Sequence, residues 1–117
     1  MREHRILDEI IVDAHGPEEQ AMGWYYYLER ELQFPFPARC CAARAISPLR
    51  AGERVTVTGM APEEECEREM FVQIRWQNRP LAVPLRQLEV RGLRGVDATT
   101  REAVADWHYW LDQGYTF

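Results

Sequence analysis

The sequence predicts an α+β fold, a small antiparallel SH3-like β-barrel flanked by an N-terminal and a C-terminal α-helix. Three observations carry this expectation. Apolar residues recur every three or four positions over residues 17–33, every second position from about residue 38, and every three or four again after residue 98. Turn-forming stretches separate the short alternating runs. The chain has 117 residues, 46% hydrophobic and 28% charged, which suits one globular domain over residues 1–117.

Residues 6–13, ILDEIIVD, read as a short strand or an extended lead-in. His15-Gly16-Pro17 breaks that run, and Glu18 and Glu19 follow. Proline at the start with acids in the first turn is a helix-start signal. Ala21, Trp24 or Tyr25, Leu28 and Leu32 supply the stripe of the first helix, and Phe34-Pro35-Phe36-Pro37 stops it. A strand is expected over 38–45, then RVTVTG at 54–59, with Val55 and Val57 on one face. Met70, Val72, Ile74 and Trp76 form the next inward row, Gln77-Asn78 a turn, and Leu81, Val83 and Leu85 a further row. Leu88 and Val90 close the run of strands. Asp97 or Thr99 caps a second helix, with Glu102 three residues beyond Thr99 and Gly114 at the end. Val104, Trp107 and Leu111, with Ala103 or Trp110, are its buried stripe; Asp106 reads as a solvated residue on the opposite face.

The formal net charge is −5, and all fourteen positive charges are arginines. That balance argues against nucleic acid as the main partner, because phosphate neutralisation needs a basic face. No run of 18 apolar residues exists to span a membrane. The start, MREHRILDEI, lacks the apolar core of a signal peptide, so the expected location is cytoplasmic. Three cysteines, two of them adjacent at Cys40 and Cys41, fit a reducing compartment better than a disulfide framework.

The densest chemistry is MAPEEECERE at 60–69, where Glu63, Glu64, Glu65, Glu67 and Glu69 fall within seven positions. Calcium takes six to eight oxygens from carboxylates, carbonyls and water, so this loop offers a partial shell. The local pattern by itself favours a solvated hairpin tip. No D-x-[DN]-x-[DN]-G loop is present, which excludes an EF-hand. A second acidic group is Asp8, Glu9, Asp13, Glu18 and Glu19; Asp13 with Glu18 or Glu19 offers cation ligands at the start of the first helix, although the helix dipole there favours anions. Cys66 amid glutamates is a poor nucleophile, and Cys40, Cys41, Cys66 and His108 lack structural-zinc spacing. No GxSxG, P-loop or HExxH motif occurs, so no enzyme class is indicated.

Taken in order, the phrases GPEEQAMGWYYYLE (16–29), FPFPARC (34–40), VTGMAPEEECEREMFVQIRW (57–76), LAVPLRQLE (81–89) and ADWHYWLDQGYTF (105–117) closely resemble the small acidic calcium-binding proteins first recognised in cyanobacteria, the CcbP-like family. The resemblance spans about residues 5–117. It implies a compact α+β protein of the cytoplasm that binds calcium ion without EF-hands and acts as a buffer or sensor. It implies ligands in Glu63, Glu64, Glu65 and Glu67, and in Asp13, Glu18 and Glu19. The loop is all glutamate where some relatives are expected to carry aspartate, and the longer side chain loses more entropy on fixing, so weaker binding is expected. The other reading of the sequence is an SH3-like module that docks a peptide or a partner protein and leaves the acids solvated.

Overall fold

A computed structural model describes residues 2–12 and 14–117. Helix α1 (Arg2–Arg5) runs directly into a π-helical turn, Ile6–Ile10. The strand or extended lead-in expected here is therefore helical. Its apolar residues explain why: Ile6 and Ile10, four apart, are both buried on one side of the turn, and the Ile11 amide donates to the Ile6 carbonyl at 3.0 Å.

Helix α2 (Pro17–Glu31) starts where Pro17 predicted, behind an extended Gly16. It ends at Leu32, whose ψ of 124° turns the chain toward the coming prolines. Ala21, Trp24, Tyr25, Tyr27 and Leu28 are its buried face. Gly23 sits against the N-terminal segment. A Cβ at that position would lie 2.4 Å from the Ile10 carbonyl oxygen, so only glycine lets the two helical segments approach this closely.

Five strands follow: β1 (Phe36–Cys40), β2 (Arg54–Met60), β3 (Phe71–Trp76), β4 (Arg79–Pro84) and β5 (Leu88–Glu89). All ladders are antiparallel, in the order β4-β3-β2-β1-β5. Among the described residues no ladder joins β4 to β5, so the sheet is open where the expected barrel would close. The chain between these edges explains the gap. After β4 it spends Leu85–Gln87 on a 3-10 turn, and β5 is two residues long, enough only to pair with β1. Strand β1 begins two residues earlier than expected and stops at Cys40; Phe36, Ala38 and Cys40 alternate into the core. The β3–β4 hairpin turns on Gln77 and Asn78, both at positive φ (49° and 65°), as a two-residue turn between twisted strands requires.

One face of the sheet carries Phe36, Ala38, Val55, Val57, Val72, Ile74 and Val83, all buried. Helices α2 and α3 (Ala98–Asp112) pack together on that side, with α2 against β2. Asp97 caps α3, its carboxylate accepting from the Thr100 amide at 2.8 Å. Trp24 of α2 meets Trp107 of α3 edge to face, with ring centroids 5.0 Å apart, and Trp110 lies 5.5 Å away. Trp24, Tyr25, Tyr27, Trp107 and Trp110 are core, whereas Tyr26 is exposed and Tyr109 half-buried.

Asp106 departs from expectation. It is fully buried, not solvated. Arg5 donates to both carboxylate oxygens, Arg2 donates at 2.6 Å, and the Tyr27 hydroxyl donates at 2.6 Å. The reason lies in the helical N-terminal segment. Arg2 and Arg5, three apart on one helix face, cover the side of α3 that would otherwise face solvent. A buried carboxylate is tolerable only with such a set of charge-assisted donors. Tyr27 is held well above its ordinary phenol pKa, first by burial and then by its bond to Asp106, so it remains a donor.

Candidate metal centre

The acidic segment leaves β2 after Met60 and returns at Phe71. Three buried residues pin it: Ala61, Cys66 and Met70. The Ala61 amide bonds the Phe71 carbonyl at 3.1 Å, and the Phe71 amide bonds the Cys66 sulfur at 3.3 Å. Between these anchors Glu63–Glu65 forms a 3-10 turn, closed by the Cys66 amide on the Glu63 carbonyl at 2.9 Å. The segment is thus an ordered excursion, with small and sulfur side chains inward and glutamates outward.

Helix α2 supplies the facing wall. Tyr25 donates to the Ala61 carbonyl at 2.7 Å, and Tyr26 donates to Glu63 Oε1 at 2.8 Å. Burial is the main reason that the Tyr25 phenol rises to about 12, and nearby glutamates add to it. An open groove of about 390 Å³ lies between the two elements. It is lined by Ala21, Met22, Tyr25 and Cys66, with Glu18, Glu63, Glu64 and Glu67. Glu18 from the second acidic group of the sequence, 45 to 49 positions away, therefore faces Glu63, Glu64 and Glu67 across one groove.

The other expected ligands fare differently. Glu19 turns back to accept the His15 amide at 2.8 Å, as a helix-start carboxylate does. Glu65 is exposed and does not line the groove. Glu69 is engaged by Arg44 at 2.7 Å. Asp13 lies outside the described residues. Among the described residues, no three His, Cys, Asp or Glu side chains stand close enough together to hold a metal ion as placed. The groove brings hard oxygens onto one surface, but they are not drawn inward into a shell.

That arrangement has an electrostatic logic. Like charges in water repel by about 1 kcal/mol at close range, so exposed glutamates splay. The α2 dipole also opposes a cation beside Glu18. A divalent ion bridging the acids would remove the repulsion, while the dipole would remain a cost to any ligand set that includes Glu18. Cys66 is no rival centre: burial pushes its thiol up, a bond with Phe71 pulls it back in part, and Glu65, Glu63 and Glu64 raise it further. Cys40 is buried and Cys41 exposed, as expected for neighbours in a strand end; all three cysteines are free thiols.

A protein-family model described as CcbP, calcium binding, matches residues 4–111. No curated protein matches the chain. Two solved structures resemble it closely. The crystal structure of Anabaena CcbP is 44% identical, with a TM-score of 0.84, over 99% of this chain and 93% of that one. A calcium binding protein in the calcium-binding form is 43% identical, with a TM-score of 0.80, over the same shares. The chain belongs to the CcbP family of calcium-binding proteins.

Proposed function

We propose that this chain is a non-EF-hand calcium-binding protein and that its site is the groove between the start of α2 and the 61–70 segment. The observation that carries this is the meeting of Glu18 with Glu63, Glu64 and Glu67 on one surface. Glu63, Glu64 and Glu67 swing inward onto the ion, Glu18 adds an oxygen from the opposite wall, and Asp13, just ahead of α2, with water completes the shell. Glu19 and Glu65 add negative potential from the rim. The donors are all hard oxygens, which suits calcium, and magnesium less well because it demands tight octahedral geometry. The similar protein in a calcium-binding form supports the ion's identity. Because the glutamates must be drawn in, each gives up side-chain freedom of as much as 1.5–2 kcal/mol, on the order of the usual glutamate value. Binding is accordingly weaker than at a preformed cage.

The protein acts as a cytoplasmic buffer or sensor, not as an enzyme. Free thiols and a family of calcium binders support this reading. No helix among the described residues is long and apolar enough to cross a membrane. The open sheet weighs against an SH3-like docking module.

Calorimetric titration of calcium into calcium-free protein tests the proposal. Saturable binding lost in the E63Q/E64Q/E67Q variant, with the fold intact, is expected. Undiminished affinity in that variant places calcium elsewhere.

A further inference from the structure

The outer face of the sheet carries a charge pattern opposite to that of the acidic groove. Arg54 and Thr56 of β2 and Arg75 of β3 point away from the buried row of Val55, Val57 and Ile74. With Pro37, Val55, Gly92 and Arg94 they line an open groove of about 650 Å³. Among the described residues no carboxylate lines it. Six arginines of the chain, Arg2, Arg5, Arg39, Arg44, Arg86 and Arg91, form ion pairs. Arg54, Arg75 and Arg94 are among the eight that form none among the described residues, and these three line one groove together. The register adds to the mismatch: Arg54 stands directly opposite Arg39 of β1, a like-charge pairing in which Arg39 is engaged by Glu89 at 3.3 Å. All three are exposed, so only solvent screens their like charges. A bound oxyanion removes the repulsion and uses the guanidinium forks.

We propose that this face is an oxyanion site in which Arg54, Arg75 and Arg94 together hold the phosphates of a small polyphosphate-bearing ligand. The Thr56 hydroxyl is a further donor. Gly92, at φ +74° with open space where a side chain would be, leaves its backbone accessible to the groove. A phosphoanhydride chain concentrates three or more negative charges in one small ligand, matching three guanidiniums around one concavity. An extended acidic peptide instead sends alternate carboxylates to opposite sides. The net charge of −5 opposes any anion at a distance, so binding depends on this local cluster and weakens steeply with salt. The inference is independent of the calcium site, which lies on other elements.

The test is calorimetry on calcium-free protein with tripolyphosphate as the probe, sulfate and an oligo-aspartate peptide as comparisons, and ATP as the nucleotide-borne form. Saturable tripolyphosphate binding is expected, weakened about tenfold or more in R54Q/R75Q/R94Q. Calcium titration and unfolding temperature should be unchanged in that variant. The charge-matched R30Q/R50Q/R68Q variant should bind within about threefold of the parent; those losses would reflect net charge alone. Tighter ATP than tripolyphosphate assigns a nucleotide, and the reverse a free polyphosphate. The proposal is overturned by no binding at physiological salt, by equal loss in both triple variants, or by oligo-aspartate binding as tightly as tripolyphosphate.

Discussion

Arg5 holds Asp106 with two parallel hydrogen bonds, Nε to Oδ2 at 3.0 Å and Nη2 to Oδ1 at 2.7 Å. The pair joins residues 101 positions apart and fastens the N-terminal segment to α3. Tyr27 of α2 donates to the same carboxylate, so three helices share one buried charge. The segment it fastens leads into residues 13–18, where part of the proposed calcium shell originates.

Replacing the carboxylate by an amide removes the charge and puts an N–H donor against donors of the Arg2, Arg5 and Tyr27 set. Asp106→Asn should lower stability by about 3 kcal/mol, the usual cost of breaking a buried pair. At this chain length that is roughly 10 °C in unfolding temperature. Limited proteolysis should show new cleavage between residues 2 and 12. Arg2→Gln, which leaves the Arg5 fork in place, should cost far less. A loss below about 1 kcal/mol for Asp106→Asn would show that the network is not what anchors α1.

His108 sets a pH dependence on the same helix. Its Nε2 lies 2.7 Å from the Leu88 carbonyl, and the neutral ring donates there. Burial holds its pKa below the ordinary value, and Arg86 adds to this. The Leu88 and Leu85 carbonyls and Asp112 act in the opposite sense without reversing it. The unfolded chain therefore takes up a proton near pH 6.5 that the folded chain refuses. Stability from this residue is complete above that pH and falls as pH drops toward the folded-state pKa. Unfolding temperature should decline from pH 7.5 to 5.5, and the slope should flatten in His108→Gln. Parallel curves for the two proteins would rule His108 out as the cause.

Tyr26 reports on Glu63. Its phenol is raised first by the hydrogen bond to Glu63 and then by that residue's charge. Calcium on Glu63 neutralises the charge, so the phenol should ionise at lower pH when calcium is bound. Ultraviolet phenolate titration of the parent, with Tyr26→Phe subtracted, measures this. An identical titration with and without calcium would mean that Glu63 does not ligate the ion.

Much of this architecture is legible in the sequence because local chemistry dictates it. Pro17 and Asp97 mark helix starts, and the alternation in RVTVTG and MFVQIRW marks inner strands. Sheet closure was not legible, since it depends on whether two distant edges meet. The N-terminal run was ambiguous: Ile6 and Ile10 fit a helical step, while ILDEIIVD as a whole also suits a strand. Asp106 was misplaced for the same reason, because its partners come from that segment. Arg2 and Arg5, spaced for one helix face, were the available signal. At the candidate site the acids were visible by density, but only the fold shows that Glu18 faces the loop while Glu19 turns to cap its own helix.

The most direct measurement is thermal unfolding of calcium-free protein, followed by tryptophan fluorescence, with calcium, with magnesium and with neither. Calcium at 100 times its dissociation constant should add about 2.7 kcal/mol, a rise of several degrees or more at this chain length. Magnesium should add little. The calcium rise should vanish in E63Q/E64Q/E67Q. An unfolding temperature that calcium leaves unchanged, or that magnesium raises equally, would contradict a calcium site in this groove.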